Sequence, residues 1–108
     1  HTVSSYSIYY LTEFFDWCES VGLPQPWCGV VNTPKHMRPQ VFPKVIKDKI
    51  IAHLNSSRHQ DVHTWAAYIT NNDSSEYYDE FLQLTNAHDL YRNLNFANTF
   101  PELKKLLD

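Results

Sequence analysis

Glycine and cysteine are almost missing from these 108 residues, with only Gly22, Gly29, Cys18 and Cys28 present. Two glycines exclude a phosphate-cradling loop, because P-loops and dinucleotide folds need several at fixed offsets for close backbone approach. Two cysteines are too few for a secreted disulfide scaffold. They make no C-x-x-C pair, and no cationic neighbour in sequence would activate either thiol. Both are therefore expected to pack as small apolar side chains. No apolar run approaches the roughly 20 residues that cross a bilayer, so no membrane contact is expected. The first ten residues lack the basic start and apolar centre of a signal peptide. A cytoplasmic, reducing compartment is the expectation.

What is present is a foldable chain, 43% hydrophobic and 15% aromatic. Its length suits one domain, residues 1–108, or a piece of a longer protein, and it can bury one core without staples. The formal charge is −3, but it is unevenly spread. Between Lys35 and Arg58 the basic residues are Lys35, Arg38, Lys44, Lys47, Lys49 and Arg58, against one acid, Asp48. One positive face on an otherwise acidic body is expected.

Periodicity predicts a mainly α fold of four to five short helices with a small two-stranded β element near the N-terminus. Tyr6, Ile8 and Tyr10 alternate as in a strand over residues 3–10. From Leu11 the period changes, and Leu11, Phe14, Phe15, Cys18 and Val21 form one helical stripe, capped by Thr12 and ended by Gly22. Trp27 to Val31 reads as a second strand. Pro34, Pro39 and Pro43 then stiffen an extended loop. Pro43 opens a second helix whose Ile46, Ile50 and Leu54 face inward, with Lys44, Lys47 and Asp48 outward. Asp61 caps a third helix through Val62, Trp65, Ala66 and Ile69. Asp73 and Glu76 have the spacing of a capping box for a fourth, through Tyr77, Phe81 and Leu84. A fifth piece covers Asp89 to Asn93. Thr99 and Glu102 cap the last helix, with Leu103, Leu106 and Leu107 inward. Packing is expected to centre on Phe14, Phe15, Trp65, Phe81, Phe96 and the terminal leucines.

No constellation in the chain completes a catalytic or metal-binding set. His59 and His63 are four apart, but Asp61 reads as the cap between them, which leaves His59 outside the helix and the pair without a third ligand. The histidines are expected at the surface. Glu76, Asp79 and Glu80 read as a solvated helix face rather than an acid–base pair. No metal and no cofactor is expected within these residues.

The basic helix 43–54 is the main candidate site. Lys35, Arg38, Lys44, Lys47 and Lys49 form a surface for an acidic partner domain or, on a second reading, for nucleic-acid phosphates. With the helix at 61–70 it imitates a helix-turn-helix. The joining segment Asn55 to Gln60 is longer than the usual turn, and base-reading side chains are scarce.

Three stretches together resemble the C-terminal region of radical SAM proteins of the twitch-domain type. They are Tyr9-Tyr10-Leu11 running into Glu13 and Trp17; Asn32-x-Pro34, Met37-x-Pro39 and Phe42-Pro43 with Lys47; and Asp89-x-x-Arg92, Phe96 and Phe100-Pro101-Glu102-Leu103. The resemblance implies an upstream partial barrel, whose C-x-x-x-C-x-x-C motif would hold an iron–sulfur cluster that cleaves S-adenosylmethionine. That motif is missing here, and Cys18 and Cys28 do not match the close spacing of auxiliary-cluster ligands. The expected role is a non-catalytic accessory or docking module, in contact with an upstream catalytic domain. The alternative is a small nucleic-acid-binding helical module.

Overall fold

The computed structural model describes the backbone of residues 1–92 and 95–108, and the side chains of residues 1–87 and 95–108. The chain is mainly α, as the periodicities predict. Its elements are β1 (Thr2–Val3), α1 (Leu11–Ser20), β2 (Gly29–Val30), α2 (Lys44–Asn55), α3 (Gln60–Asn71), α4 (Tyr78–Arg92), α5 (Phe96–Thr99) and α6 (Pro101–Leu107). Single 3-10 turns precede α1, α2 and α4. The two short strands pair in parallel, Thr2 opposite Gly29 and Val3 opposite Val30. A parallel pair needs a crossover connection, and α1 supplies it.

The N-terminal segment is less extended than its alternation suggests. Only Thr2 and Val3 are strand, and Ile8–Tyr10 closes into a 3-10 turn. Serine hydroxyls explain the difference. The Ser4 amide donates to Ser7 Oγ at 2.9 Å and the Tyr6 amide to Ser4 Oγ at 3.3 Å. Such local bonds offer the backbone an alternative to a ladder. Tyr10, not Thr12, stands at the N-cap of α1.

Gly22 ends α1 as expected, at φ +77. The Leu23 amide donates to Cys18 O at 2.9 Å and the Gly22 amide to Glu19 O at 3.1 Å, which is the Schellman pair of bonds. Because the helix stops at Ser20, Val21 leaves the predicted stripe and is 53% exposed. Leu11, Phe15 and Cys18 keep the buried face.

Helices α2 and α3 form the most extensive helix pair. Ile46, Ile50 and Leu54 of α2 meet Val62, Ala66 and Ile69 of α3, all buried. Pro43 is the N-cap rather than the first helical residue, and Asp61 sits in the first turn of α3 behind its cap His59. The capping box expected at Asp73 is replaced by a tighter turn, in which Asp73 accepts from the Ser75 amide at 3.1 Å and from its hydroxyl at 3.2 Å. The helical piece expected from Asp89 is the end of α4. The side-chain pair of Asp89 and Arg92 lies outside the described residues.

The two ends of the chain meet in an aromatic cluster. The Tyr6 ring lies 5.3 Å from Phe81, 5.8 Å from Phe96 and 5.8 Å from Phe100, centroid to centroid. Phe81 also meets Phe42 at 5.4 Å, which draws in the proline-rich loop. Each such ring is worth about 1.5–3 kcal/mol in burial, with a further increment for ring-to-ring geometry. Phe14 and Trp65 are only partly buried, on the flank of this core.

The start of α6 is capped from outside its own sequence. Thr99 ends α5, and Phe100 occupies the N-cap with Pro101 following. Neither end of the expected Thr99–Glu102 box forms. Instead Tyr10 Oη accepts from the Leu103 amide at 3.1 Å and donates to Glu102 Oε2 at 2.9 Å. Burial, with the Glu102 charge adding to it, pushes the Tyr10 phenol up to about 12. Replacing Tyr10 by Phe keeps the ring but leaves the Leu103 amide unsatisfied, and a loss of about 1 kcal/mol in urea unfolding is expected. A phenol whose pKa rises on folding stabilises the neutral form. Its contribution is therefore full below the ordinary phenol range and lost as pH climbs toward about 12. That alkaline loss should be smaller in Tyr10→Phe.

Candidate functional site

The five basic residues singled out by sequence do not form one open face. Lys47 is 8% exposed, not outward. Its stem is buried beside Ile46 and Ile50, and its ammonium reaches across to the end of α3. There Nζ donates to Asn72 O at 3.0 Å and lies 3.5 Å from Asp73 Oδ1. A cation at the last carbonyls of a helix meets the negative end of its dipole, so Lys47 acts as a C-terminal cap supplied by a neighbouring helix. The Asp73 carboxyl is held below the usual carboxylate range, first by the Ser75 amide and hydroxyl and then by Lys47.

The remaining cations have other partners. Lys44 pairs one turn along with Asp48 at 2.8 Å. Lys35 Nζ lies 5.1 Å and Arg38 Cζ 5.8 Å from the centroid of the Tyr77 ring, so both meet its negative face. Arg38 further donates from Nε to Asn32 O at 2.9 Å and to Ser74 Oγ at 3.4 Å. Those bonds tie the proline-rich loop to the start of α4. Lys35 has only its contact with the Tyr77 ring, and Lys49 alone of the five has no side-chain partner of any kind among the described residues.

A second charged seam joins α1 to α2 and α3. Glu13 Oε1 meets His53 Nε2 at 2.9 Å, Asp16 Oδ1 meets His59 Nε2 at 2.7 Å, and Arg58 grips both oxygens of Glu19 at 2.7 and 2.8 Å. The acids recur every three residues and so share one helix face. They are the contacts of α1 to the neighbouring elements. His63 is also engaged, its Nε2 donating to Ser57 O at 2.5 Å.

Cys18 and His59 line one small cavity of about 220 Å³ beside Leu23 and Pro26. A thiol, an imidazole and the Asp16 carboxylate in one neighbourhood suggest nucleophilic chemistry, but the directions do not suit it. His59 turns Nε2 to Asp16, and its Nδ1 lies 4.0 Å from Glu19. Both ring nitrogens thus face carboxylates, and neither is aimed to take a proton from sulfur. Among the described residues no group of three His, Cys, Asp or Glu side chains is placed to hold a metal ion. None of the described helices is long and apolar enough to cross a membrane.

The sequence reading missed the exposed apolar surface. Trp17 is 55% exposed on the outer side of α1, Val21 is 53% exposed at its C-cap, and Leu23 follows at 50%. Trp27 is 85% exposed on the loop ahead of β2. Large exposed side chains of this kind mark contact surfaces more often than isolated ones do.

The different environments of the lysines separate their expected effects. Lys47→Met removes the cap from α3 and leaves the Asn72 carbonyl unpaired, and should cost about 1–2 kcal/mol in urea unfolding. Lys44→Met breaks only an exposed pair and should change stability by less than about 0.5 kcal/mol. Comparison of the chain with protein-family models, with curated proteins and with solved structures finds no match.

Proposed function

We propose that the chain is a non-catalytic docking module, similar in role to the C-terminal accessory region of radical SAM proteins, and that it meets its partner through the outer face of α1. The observation that carries this reading is the exposed pair Trp17 and Val21, with Leu23 beyond them. Exposed apolar anchors gathered at a helix end suit a hydrophobic groove. The helix that carries Trp17 is fixed by Phe15 and Cys18 in the core and by the Glu13, Asp16 and Glu19 contacts. Little ordering entropy is then left to lose on association.

The positions of the resembling stretches agree with a structural rather than chemical role. Tyr9-Tyr10-Leu11 forms the entry to α1, Phe42-Pro43 the entry to α2, and Phe100-Pro101-Glu102-Leu103 the entry to α6. The first and last touch through Tyr10. On this reading the partner is a catalytic domain upstream in the same polypeptide, and the radical chemistry belongs to it.

The nucleic-acid reading is weakened by where the cations are used. Phosphate binding needs cations that exchange counterions freely. Lys47 caps a helix and Lys44 is paired, which leaves the basic helix with Lys49.

The polypeptide encoded immediately upstream, produced separately, should bind the 108-residue chain, and Trp17→Ser with Val21→Ser should abolish that binding without unfolding the chain. A stop codon directly upstream, or binding indifferent to both substitutions, would contradict the proposal. Salt-sensitive binding to generic DNA or RNA, lost in Lys44→Glu with Lys49→Glu, would favour the alternative.

A further inference from the structure

A second cleft, of about 240 Å³, opens between the loop ahead of β2 and the outer face of α3. Phe15 lines it from the core side, while Trp27 and Trp65 line it from the two elements that flank it. Asp61 and Thr64 complete the α3 side, and Cys28 lies between the loop and the core. Asp61 and Trp65 are one turn apart on α3, so carboxylate and indole point from the same face. Trp17 and Val21 do not line this cleft, and the inference goes beyond the docking reading.

Two properties of the cleft point to a ligand class. Three aromatic side chains, Phe15, Trp27 and Trp65, line the space, and no lysine, arginine or histidine side chain does. The acids of α1 each have a side-chain partner, but Asp61 has no hydrogen-bond or ion-pair partner among the described residues. Aromatic faces with one uncompensated carboxylate attract a soft, poorly hydrated cation. A primary ammonium or a guanidinium would need hydrogen-bond acceptors around it to replace its water. Here the walls offer rings, one carboxylate and one hydroxyl. The Cys28 thiol at the back of the cleft is pushed up chiefly by burial, against the lowering effect of the terminal ammonium, with Asp61 adding a smaller upward effect. That ammonium is itself held by the Trp27 carbonyl at 3.3 Å.

We propose that this cleft binds a trimethylammonium group, of the kind carried by choline or by trimethyllysine. The methyl groups meet the indoles of Trp27 and Trp65 above the buried Phe15, and Asp61 balances the charge. Trp27 is 85% exposed, and a cation seated against its ring would cover part of that surface.

The test follows the indole N–H resonances of the 108-residue chain by NMR during titration with choline, a trimethyllysine peptide, and the uncharged isostere dimethylbutanol. Saturable shifts at Trp27 and Trp65 are expected with at least one cation, about tenfold tighter than with the isostere. The tighter of the two cations identifies the source of the group. Trp27→Ala and Asp61→Asn should each weaken that binding about tenfold, while Trp17→Ala leaves it unchanged. Both residues are exposed, and unchanged urea midpoints check that the variants remain folded. Absence of saturable shifts with either cation, equal affinity for the isostere, or full binding by folded Trp27→Ala would overturn the proposal.

Discussion

The fold depends on the contact between the first ten residues and the last thirteen, in which the Tyr6 ring meets Phe96 and Phe100 and is joined by Phe81 of α4. Helix α6 has seven residues and α5 four, too short to hold a helical conformation in water alone. Both exist because their buried faces, Phe96 and Leu103, close over a core started by Ile8 and Leu11. The Tyr10 hydroxyl then replaces the missing cap of α6. Long-range packing thus supplies what local propensity does not.

The same economy governs the charges. The positive run in the sequence suggests a surface, yet Lys47 and Arg38 bind backbone carbonyls of their own chain, and Lys35 leans on Tyr77. On the opposite side Arg58, His53 and His59 meet the acids of α1. With most of these cations occupied inside the molecule, large apolar and aromatic side chains stand out among the groups that face outward: Trp17, Val21, Leu23, Trp27 and Val45. A surface of that composition recognises partners by shape and apolar contact more than by long-range attraction.

Much of this architecture was legible in the sequence. The Ile46, Ile50, Leu54 stripe, its counterpart Val62, Ala66, Ile69, and the glycine stop at Gly22 all emerge from period and residue type. What was not legible depends on distant partners. Nothing local says that Lys47 turns inward, because the acceptor is the end of another helix, twenty-five residues on. The Tyr10 cap spans ninety-three positions. The strand expected over 3–10 shortened because two serine hydroxyls captured amides that the alternation of Tyr6, Ile8 and Tyr10 had assigned to a ladder. The candidate site shifted for a related reason: residue type marks a lysine as exposed and a tryptophan as buried, and here Lys47 and Trp27 are the reverse.

Native-state hydrogen exchange on the intact chain tests most directly whether the two ends close one cooperative core. The amide of Leu103, capped by Tyr10, should exchange with the same opening free energy as the amides of Ile50 and Val62 in the α2–α3 pair. Exchange of Leu103 well ahead of those two, with α2 and α3 still protected, would mean that the C-terminal helices open on their own, and would contradict the account.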